Sequence, residues 1–352
     1  MIEKTIIHSY IFIIVCYMVM ANTSLQSQHQ SETSDLVAKL TAKSETDEEK
    51  LKAIFDWVTS NIKYDHKAAK NDISITKSID EIIRTKSAIC TGYSSLMKEL
   101  CIISGIECHV VSGYARSSTG QIISDAPDHA WNAVKLGGKW YLLDATWSIQ
   151  KNAAKYYLID PESMIKTHLP AQRWWQLLNT PVSFEAFKSG HKMLLDTMSE
   201  YHYTDTIASI YQRSKNDIKI KEGEEAALFY PSEKNKREYA AVLMEIAGEA
   251  SDALSSVMDT TDIGWLHSRF EYILQLCRKS VTLTSLLPTQ KELYVEVLLN
   301  YTASLYNRSR KNLKKTAIGL LAEAKQVLDS TPETYYTGHA RQMIENYEKV
   351  MK

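Results

Sequence analysis

The sequence has few cysteines and lacks the short motifs that mark common metal sites. It contains five cysteines in 352 residues, with no Cys-x-x-Cys pair and no His-Glu-x-x-His segment. Widely spaced cysteines in a chain of this length do not form a disulfide framework, and protein zinc sites usually show one of those motifs. The sequence therefore predicts no bound metal and no cofactor.

The chain also lacks an excess of charge of either sign. Its formal net charge is -1, which gives no electrostatic reason to expect nucleic acid as a partner. The apolar run at residues 10–20 follows Lys4 and precedes Ala21. That run has the length of a signal-peptide core and is short for a membrane span. We expect residues 1–21 to be a signal peptide, with an uncleaved anchor as the alternative, and the protein to be exported to the periplasm, the cell envelope or the medium.

The length of the chain favours two domains. Residues 22–44 begin with a segment rich in Ser, Gln and Thr and are predicted to be a flexible lead-in. We expect one domain over residues 45–188 and an α-helical domain over residues 189–352, where glycine becomes rare. Four long amphipathic stretches in the second region predict antiparallel helix hairpins. These stretches are residues 237–258, 265–286, 290–306 and 314–328.

A helix is predicted directly after residue 46. Thr46 or Asp47 can cap it, and Glu49 stands at the spacing of a capping box. Apolar residues follow at helical spacing and define one buried face. They are Leu51, Ile54, Phe55, Val58 and Ile62.

A β-hairpin is predicted around Gly137 and Gly138, and its strands are expected to continue to about residue 147. A Gly-Gly pair between two runs of strand-forming residues indicates a two-residue turn. In that register Leu136 pairs with Lys139, and the numbers of paired residues sum to 275.

The register places four polar or aromatic side chains on one face of the hairpin. Trp131 would face Asp144, and His129 would face Thr146, so that His129 and Asp144 are diagonal neighbours about 7–8 Å apart. An imidazole and a carboxylate can close that distance and form a hydrogen bond. A slip of one residue would place them on opposite faces.

Cys90 precedes a second predicted helix, which Gly105 is well placed to end. The helix macrodipole favours negative charge at the N-terminal end, so this position favours a thiolate. Backbone N–H groups at the same end can hold a developing oxyanion. Cys101 lies about 16 Å further along the helix and, with Cys108 and Cys277, is predicted to be a core residue.

Three motifs in this order resemble the core of the transglutaminase-like superfamily. They are "AICTGY", "DHAWN" and "DATW", and the resemblance covers about residues 45–188. The later segment "YYLIDPESMIKTHLPAQRWWQLLNTPVSF" looks like that of a branch related to the kyphoscoliosis peptidase and cytokinesis-associated proteins. The resemblance implies an α+β, papain-like core in which a cysteine-bearing helix packs on an antiparallel sheet. The all-α region that follows is not covered by it.

By this resemblance Cys90 would be the nucleophile, His129 the base and acid, and Asp144 the orienting carboxylate. Tyr93 and Trp131 are candidates for substrate contact, but packing is favoured for Tyr93, and shielding of the His129–Asp144 pair from water is favoured for Trp131. Ala88 stands where the family often has glycine, and its methyl group could narrow the approach to Cys90.

The resemblance implies a thiol-dependent amide-bond enzyme, and we expect hydrolysis of a protein or peptide, with cell-wall peptides among the candidates. A protein cross-linking transglutaminase is an alternative. A second alternative is a catalytically inactive binding module in the cell envelope, in which the helical region would dock a partner protein.

Overall fold

A computed structural model describes most of the chain after residue 32. The described residues are 33–70, 77–116, 122, 127–151, 153–189, 201–255, 257, 262–308 and 313–351. The predicted signal peptide or anchor over residues 1–21 lies outside them. None of the helices within these ranges is both long and apolar enough to span a bilayer. The chain divides into two compact units, Met1–Thr204 and Asp205–Lys352.

Residues 33–41 are helical and form α1, which contradicts the flexible lead-in predicted for residues 22–44 over this part. The Ser- and Thr-rich composition suggested too little apolar surface to fold. However, Val37 is buried in the core of the first unit, and Leu36 packs against that core. Burial of these two apolar side chains stabilises the helix against the first unit, although the overall composition of the segment is polar.

The first unit combines short helices with a four-stranded antiparallel sheet of order β5-β4-β3-β6. The strands of the whole first unit are β1 (Lys63–Tyr64), β2 (Ser87–Ala88), β3 (Cys108–Ala115), β4 (His129–Leu136), β5 (Lys139–Leu143) and β6 (His168–Pro170). Its further helices are α2 (Asp47–Asn61), α3 (His66–Lys70), α4 (Ile79–Thr85), α5 (Cys90–Ile103), α6 (Ala145–Lys151), α7 (Pro161–Met164) and α8 (Phe184–Ser189). The α+β class predicted for this region is confirmed.

Helix α2 has the predicted N-terminus. The Thr46 hydroxyl accepts from the Glu49 backbone N–H, and the Glu49 carboxylate accepts from the Thr46 N–H, which completes a capping box. The predicted apolar face is buried and packs in the core that α2 shares with α5.

The hairpin of β4 and β5 has the predicted register. Leu136 pairs with Lys139, and Asn132 pairs with Leu143, so paired numbers sum to 275. The strand predicted to continue to residue 147 is wrong, because β5 ends at Leu143 and α6 begins at Ala145. The cross-strand pairs expected for Asp144 and Thr146 therefore do not form.

Both faces of the sheet are packed. Helix α5 lies on one face, where the Asn132 side chain of β4 donates to the Ser94 backbone carbonyl at 2.9 Å. On the other side the His109 ring packs between Trp140 and Trp175, with centroids 5.5 and 5.2 Å away. His109 is thus a strand residue in an aromatic cluster.

A small parallel ladder of β1 and β2 leads the chain into α5. Asp65, directly after β1, accepts hydrogen bonds from the Ala68 N–H at 3.0 Å, from Lys77 at 3.0 Å and from the Ser87 hydroxyl at 3.1 Å. The bond from the Ala68 N–H and the bond and charge of Lys77 lower the pKa of Asp65 to about 2. These contacts fix the segment that immediately precedes Cys90.

The methyl group of Ala88 faces the first turn of α5. Ala88 is buried, and a Cβ built on Gly92 would lie 2.8 Å from the Ala88 Cβ and 3.1 Å from the Ile82 Cδ1. The Ala88 methyl group therefore occupies core space beside Gly92 and is not exposed to a substrate. At the other end of α5, Gly105 has a φ of +85° and ends the helix as predicted.

We expect Gly92→Ala to destabilise the first unit by about 1–3 kcal/mol, because the added methyl group overpacks against Ala88 and Ile82. The double variant Gly92→Ala/Ala88→Gly should recover part of that loss, since it moves the methyl group across the contact. Urea unfolding followed by tryptophan fluorescence measures both. Strict additivity of Gly92→Ala and Ala88→Gly would contradict a direct contact.

Every regular element in the described part of the second unit is a helix. Its helices are α9 (Tyr203–Tyr211), α10 (Lys215–Phe229), α11 (Glu233–Ser255), α12 (Ile263–Leu283), α13 (Pro288–Arg308), α14 (Lys314–Asp329) and α15 (Tyr335–Met351). Successive helices from α10 onward pack on one another, as expected for helix hairpins. Phe270 stacks on Tyr301 at 4.8 Å, and Arg278 makes a bidentate pair with Glu323 at 2.9 and 2.7 Å.

Candidate active site

A buried carboxylate, Asp144, lies where β5 meets α6. It is completely buried, and its Oδ1 accepts the Trp147 backbone N–H at 3.0 Å, in the manner of a helix N-cap. The Ser148 hydroxyl donates to the Asp144 backbone carbonyl at 2.8 Å. The start of α6 therefore fixes both the backbone and one carboxylate oxygen of Asp144.

Two histidines contact the other oxygen of this carboxylate. The Nε2 atom of His129, the first residue of β4, lies 2.7 Å from Asp144 Oδ2. The Nε2 atom of His168, the first residue of β6, lies 3.1 Å from the same oxygen. The His129 contact agrees with the hairpin prediction, whereas no sequence pattern pointed to His168.

The sheet explains why these two histidines meet. Strands β4 and β6 flank β3, where Gly113 pairs with His129 on one side and with Pro170 on the other. A Cβ on Gly113 would lie 2.2 Å from the Leu169 carbonyl oxygen and 2.5 Å from the Trp131 ring. Only glycine allows the three strands and the Trp131 ring to approach this closely.

Cys90 occupies the first turn of α5 beside His129. Its side chain is near enough to the His129 imidazole to contribute to the raised pKa of that ring. Because Nε2 of that ring is held by Asp144, the other ring nitrogen is the one available to Cys90. Cys90 is 9% exposed and His129 is 8% exposed, so both groups are largely buried and each keeps a small contact with solvent.

The electrostatics favour a charged His129–Asp144 pair. Burial by itself would lower the pKa of His129, but the charge and hydrogen bond of Asp144, together with the nearby Cys90, raise it to about 10. Burial would raise the pKa of Asp144, but the charge and hydrogen bond of His129 and the contact with His168 hold it well below its usual range. His129 is therefore an imidazolium and Asp144 a carboxylate near neutral pH.

Aromatic rings enclose the cluster. Trp147 lies 5.5 Å from the His129 ring and 4.4 Å from the His168 ring, and Trp131 lies 5.9 and 5.0 Å from the same two rings. Such an apolar surround excludes water and strengthens the charge interactions inside it.

The cluster also has the donor types of a metal site. Among the residues that the structure describes, one group of this kind is found: His129, Asp144 and His168, with ligand atoms within 4.8 Å of one another. Two nitrogens and a carboxylate suit zinc or iron. The separations of 2.7 and 3.1 Å are those of charge-assisted hydrogen bonds. Two ligand atoms bound at about 2.0–2.1 Å to one tetrahedral zinc would lie about 3.3 Å apart. Both nitrogen–oxygen separations are shorter than that, so hydrogen bonds fit them better than a shared metal ion does.

The structure buries the two remaining candidates. Tyr93 is completely buried and its hydroxyl donates to the Ile62 carbonyl at 2.5 Å. Trp131 is also buried, and its ring lies beside His129. Both positions agree with the favoured packing and shielding roles and give no support to substrate contact. Cys101 and Cys108 are buried free thiols, as predicted. The neighbouring Cys108 thiol and burial raise the pKa of Cys101.

Sequence reasoning missed His168 and Tyr64. His168 is a lone histidine in the trailing segment that resembles the kyphoscoliosis-peptidase branch, and no spacing rule links it to Asp144. Tyr64 in β1 is half-buried, and burial together with the nearby Cys90 and Asp144 raises its pKa. Its position next to the site follows from the pairing of β1 with β2.

The sequence profile of the transglutaminase-like superfamily matches residues 34–145. The chain therefore carries a transglutaminase-like domain, and the first unit has its papain-like arrangement, with a cysteine-bearing helix on an antiparallel sheet. The predicted family and fold are confirmed.

Named relatives match just under half of the chain. Kyphoscoliosis peptidase of Homo sapiens is 34% identical over 174 residues, which are 46% of this chain and 26% of that protein. Hillarin of Drosophila melanogaster is 28% identical over 192 residues, 47% of this chain and 23% of that protein. A crystal structure from Cytophaga hutchinsonii, described as a candidate cysteine protease, is 26% identical and covers 33% of this chain and 37% of that chain, with a TM-score of 0.27. The chain thus spans about a quarter of the length of these curated relatives.

We expect the stability of the first unit to fall as pH rises from about 6.5 through about 10, because His129 binds its proton more tightly when folded than when unfolded. His129→Gln should flatten this slope. Urea unfolding followed by tryptophan fluorescence suits the measurement, because six of the seven tryptophans precede residue 205.

His66→Gln, which changes an exposed histidine of the same unit, is the matched control and should keep the wild-type slope. Equal slopes in wild type and His129→Gln over this pH range would contradict a protonated His129 in the folded protein.

Proposed function

We propose that this protein is a thiol-dependent hydrolase of amide bonds in peptides or proteins. The observation that carries the proposal is the arrangement of one imidazole between two partners. His129 Nε2 lies 2.7 Å from Asp144 Oδ2, and its ring lies beside Cys90, the first residue of α5.

The reaction would begin with attack of the Cys90 sulfur on the amide carbonyl carbon. The imidazolium of His129 then gives its proton to the departing amine as the C–N bond breaks, which leaves a thioester on Cys90. Neutral His129 takes a proton from water as the water oxygen attacks the thioester. Cleavage of the C–S bond releases the acid and restores the thiolate–imidazolium pair. Asp144 keeps the imidazole oriented and favours its charged form in each step.

The first turn of α5 supports stabilisation of the oxyanion. The first backbone N–H groups of a helix have no acceptor within the helix, and Ile89 at the N-cap position makes no side-chain cap bond. Cys90 is the first residue of α5. A carbonyl oxygen held there during attack by the sulfur would accept hydrogen bonds from these N–H groups and would be stabilised by the positive end of the macrodipole.

Water and an amine could both accept the acyl group from Cys90. We favour water because a relative that is 34% identical is named a peptidase. Transfer to an amine would join the acyl group to a lysine and release no new carboxyl group. We further propose that the substrate is met outside the cytoplasm, on the basis of the signal-like residues 10–20.

We expect wild-type protein to release new carboxyl termini from members of a peptide and cell-wall fragment library, and Cys90→Ala to release none. Mass spectrometry in the presence of methylamine separates the two acceptors, because amine capture and water capture give products of different mass. Cys101→Ala is the matched control, since it removes a buried thiol of the same helix. Products that persist in Cys90→Ala would show that Cys90 is not the nucleophile. Products that carry only methylamine would show that the protein transfers the acyl group to amines and does not hydrolyse the bond.

A further inference from the structure

We propose that His168 is a positioning residue for the active site, which acts by donating its Nε2–H to Asp144 and so holds that carboxylate ionised and aimed at His129. This inference rests on the proposed function of Cys90, His129 and Asp144. It extends the expected three-residue set by a second histidine from a different strand.

The protons at the carboxylate follow from the distances. An ionised carboxylate only accepts hydrogen bonds. Both histidine Nε2 atoms lie within hydrogen-bond distance of Asp144 Oδ2, at 2.7 and 3.1 Å. Both nitrogens must therefore carry protons, since an unprotonated Nε2 would set a lone pair against the carboxylate.

Thr167 fixes the orientation of the His168 ring. Its hydroxyl oxygen lies 2.8 Å from His168 Nδ1, and the hydroxyl donates to the Met164 carbonyl oxygen at 3.3 Å. The contact at Nδ1 holds the ring so that Nε2 points at Asp144.

Packing alone does not explain an imidazole at this place. His168 is completely buried, and its ring contacts Trp147, Trp131 and Tyr156 at centroid distances of 4.4, 5.0 and 5.7 Å. A phenyl ring would fill that space without the cost of burying two polar nitrogens. The imidazole is matched by a partner at each nitrogen, which indicates that its polarity is used.

The donor from His168 matters most when His129 loses its charge. After His129 has protonated the departing amine, Asp144 no longer faces a cation. It still accepts the Trp147 N–H on Oδ1 and the His168 N–H on Oδ2. The carboxylate therefore stays ionised and oriented until His129 is protonated again. The titratable groups that face Asp144 are His129 and His168, with Cys90 and Tyr64 beyond them.

The test is the alkylation of Cys90 by iodoacetamide as a function of pH, read from the mass of the Cys90 peptide. In His168→Phe, which keeps a buried ring and removes the donor, the rate at pH 7 should fall about tenfold, the size of a hydrogen bond to a charged group. The acidic limb of the profile should move to higher pH, because Asp144 is then protonated more easily. His168→Gln, which can place an amide N–H near the Nε2 position, should restore most of the alkylation rate and return the acidic limb to its wild-type pH. Thr167→Val should shift the profile in the same direction as His168→Phe.

The outcomes separate this inference from the proposed function. If wild-type Cys90 reacts no faster than Cys101, the proposed function fails. If wild-type Cys90 reacts faster and His168→Phe leaves both rate and limb unchanged, the positioning role is overturned. It is also overturned if His168→Gln behaves like His168→Phe, or if wild-type protein contains one equivalent of a divalent metal that His168→Phe loses. Should His168→Phe fail to fold by circular dichroism, an unshifted Thr167→Val profile overturns the role.

Discussion

The burial of one carboxylate constrains the whole first unit. An ionised Asp144 without solvent would be strongly unfavourable unless charge and hydrogen bonds replace the lost water. The structure replaces it with the Trp147 N–H at 3.0 Å, His129 at 2.7 Å and His168 at 3.1 Å. These partners come from α6, β4 and β6, so that three separate elements must be in place before the charge is satisfied. The candidate chemistry and the folded state therefore depend on the same contacts.

Close approach in the sheet makes this convergence possible. Gly113 leaves room for the Leu169 carbonyl and the Trp131 ring between β4 and β6. Gly92 similarly leaves room for Ala88 and Ile82 at the base of the helix that carries Cys90. Two glycines thus set the positions of the histidines and of the thiol, although neither carries a functional group.

The sequence predicted much of this unit for clear physical reasons. Local rules gave the capping box of α2, the stop of α5 at Gly105 and the register of the Gly137-Gly138 hairpin. They failed at the end of β5, because the strand-like pattern of the sequence continues beyond the last residue of the strand. Asp144 was expected to face Trp131 across two strands, but β5 ends before it and the carboxylate caps α6 instead. The predicted contact between Asp144 and His129 forms nevertheless, because the first residue beyond β5 still lies next to the start of β4.

The sequence by itself determined the thiol at the start of a helix, the histidine and carboxylate brought to one end of a hairpin, and the helical character of the second unit. These follow from turn chemistry and hydrophobic spacing, which act over a few residues. Only the tertiary structure decided that His168 joins Asp144, that Tyr93 and Trp131 are core residues, and that the Ala88 methyl group packs on Gly92. Each of these depends on contacts between elements distant in sequence or on the direction of one side chain in a packed core. No local rule specifies such contacts.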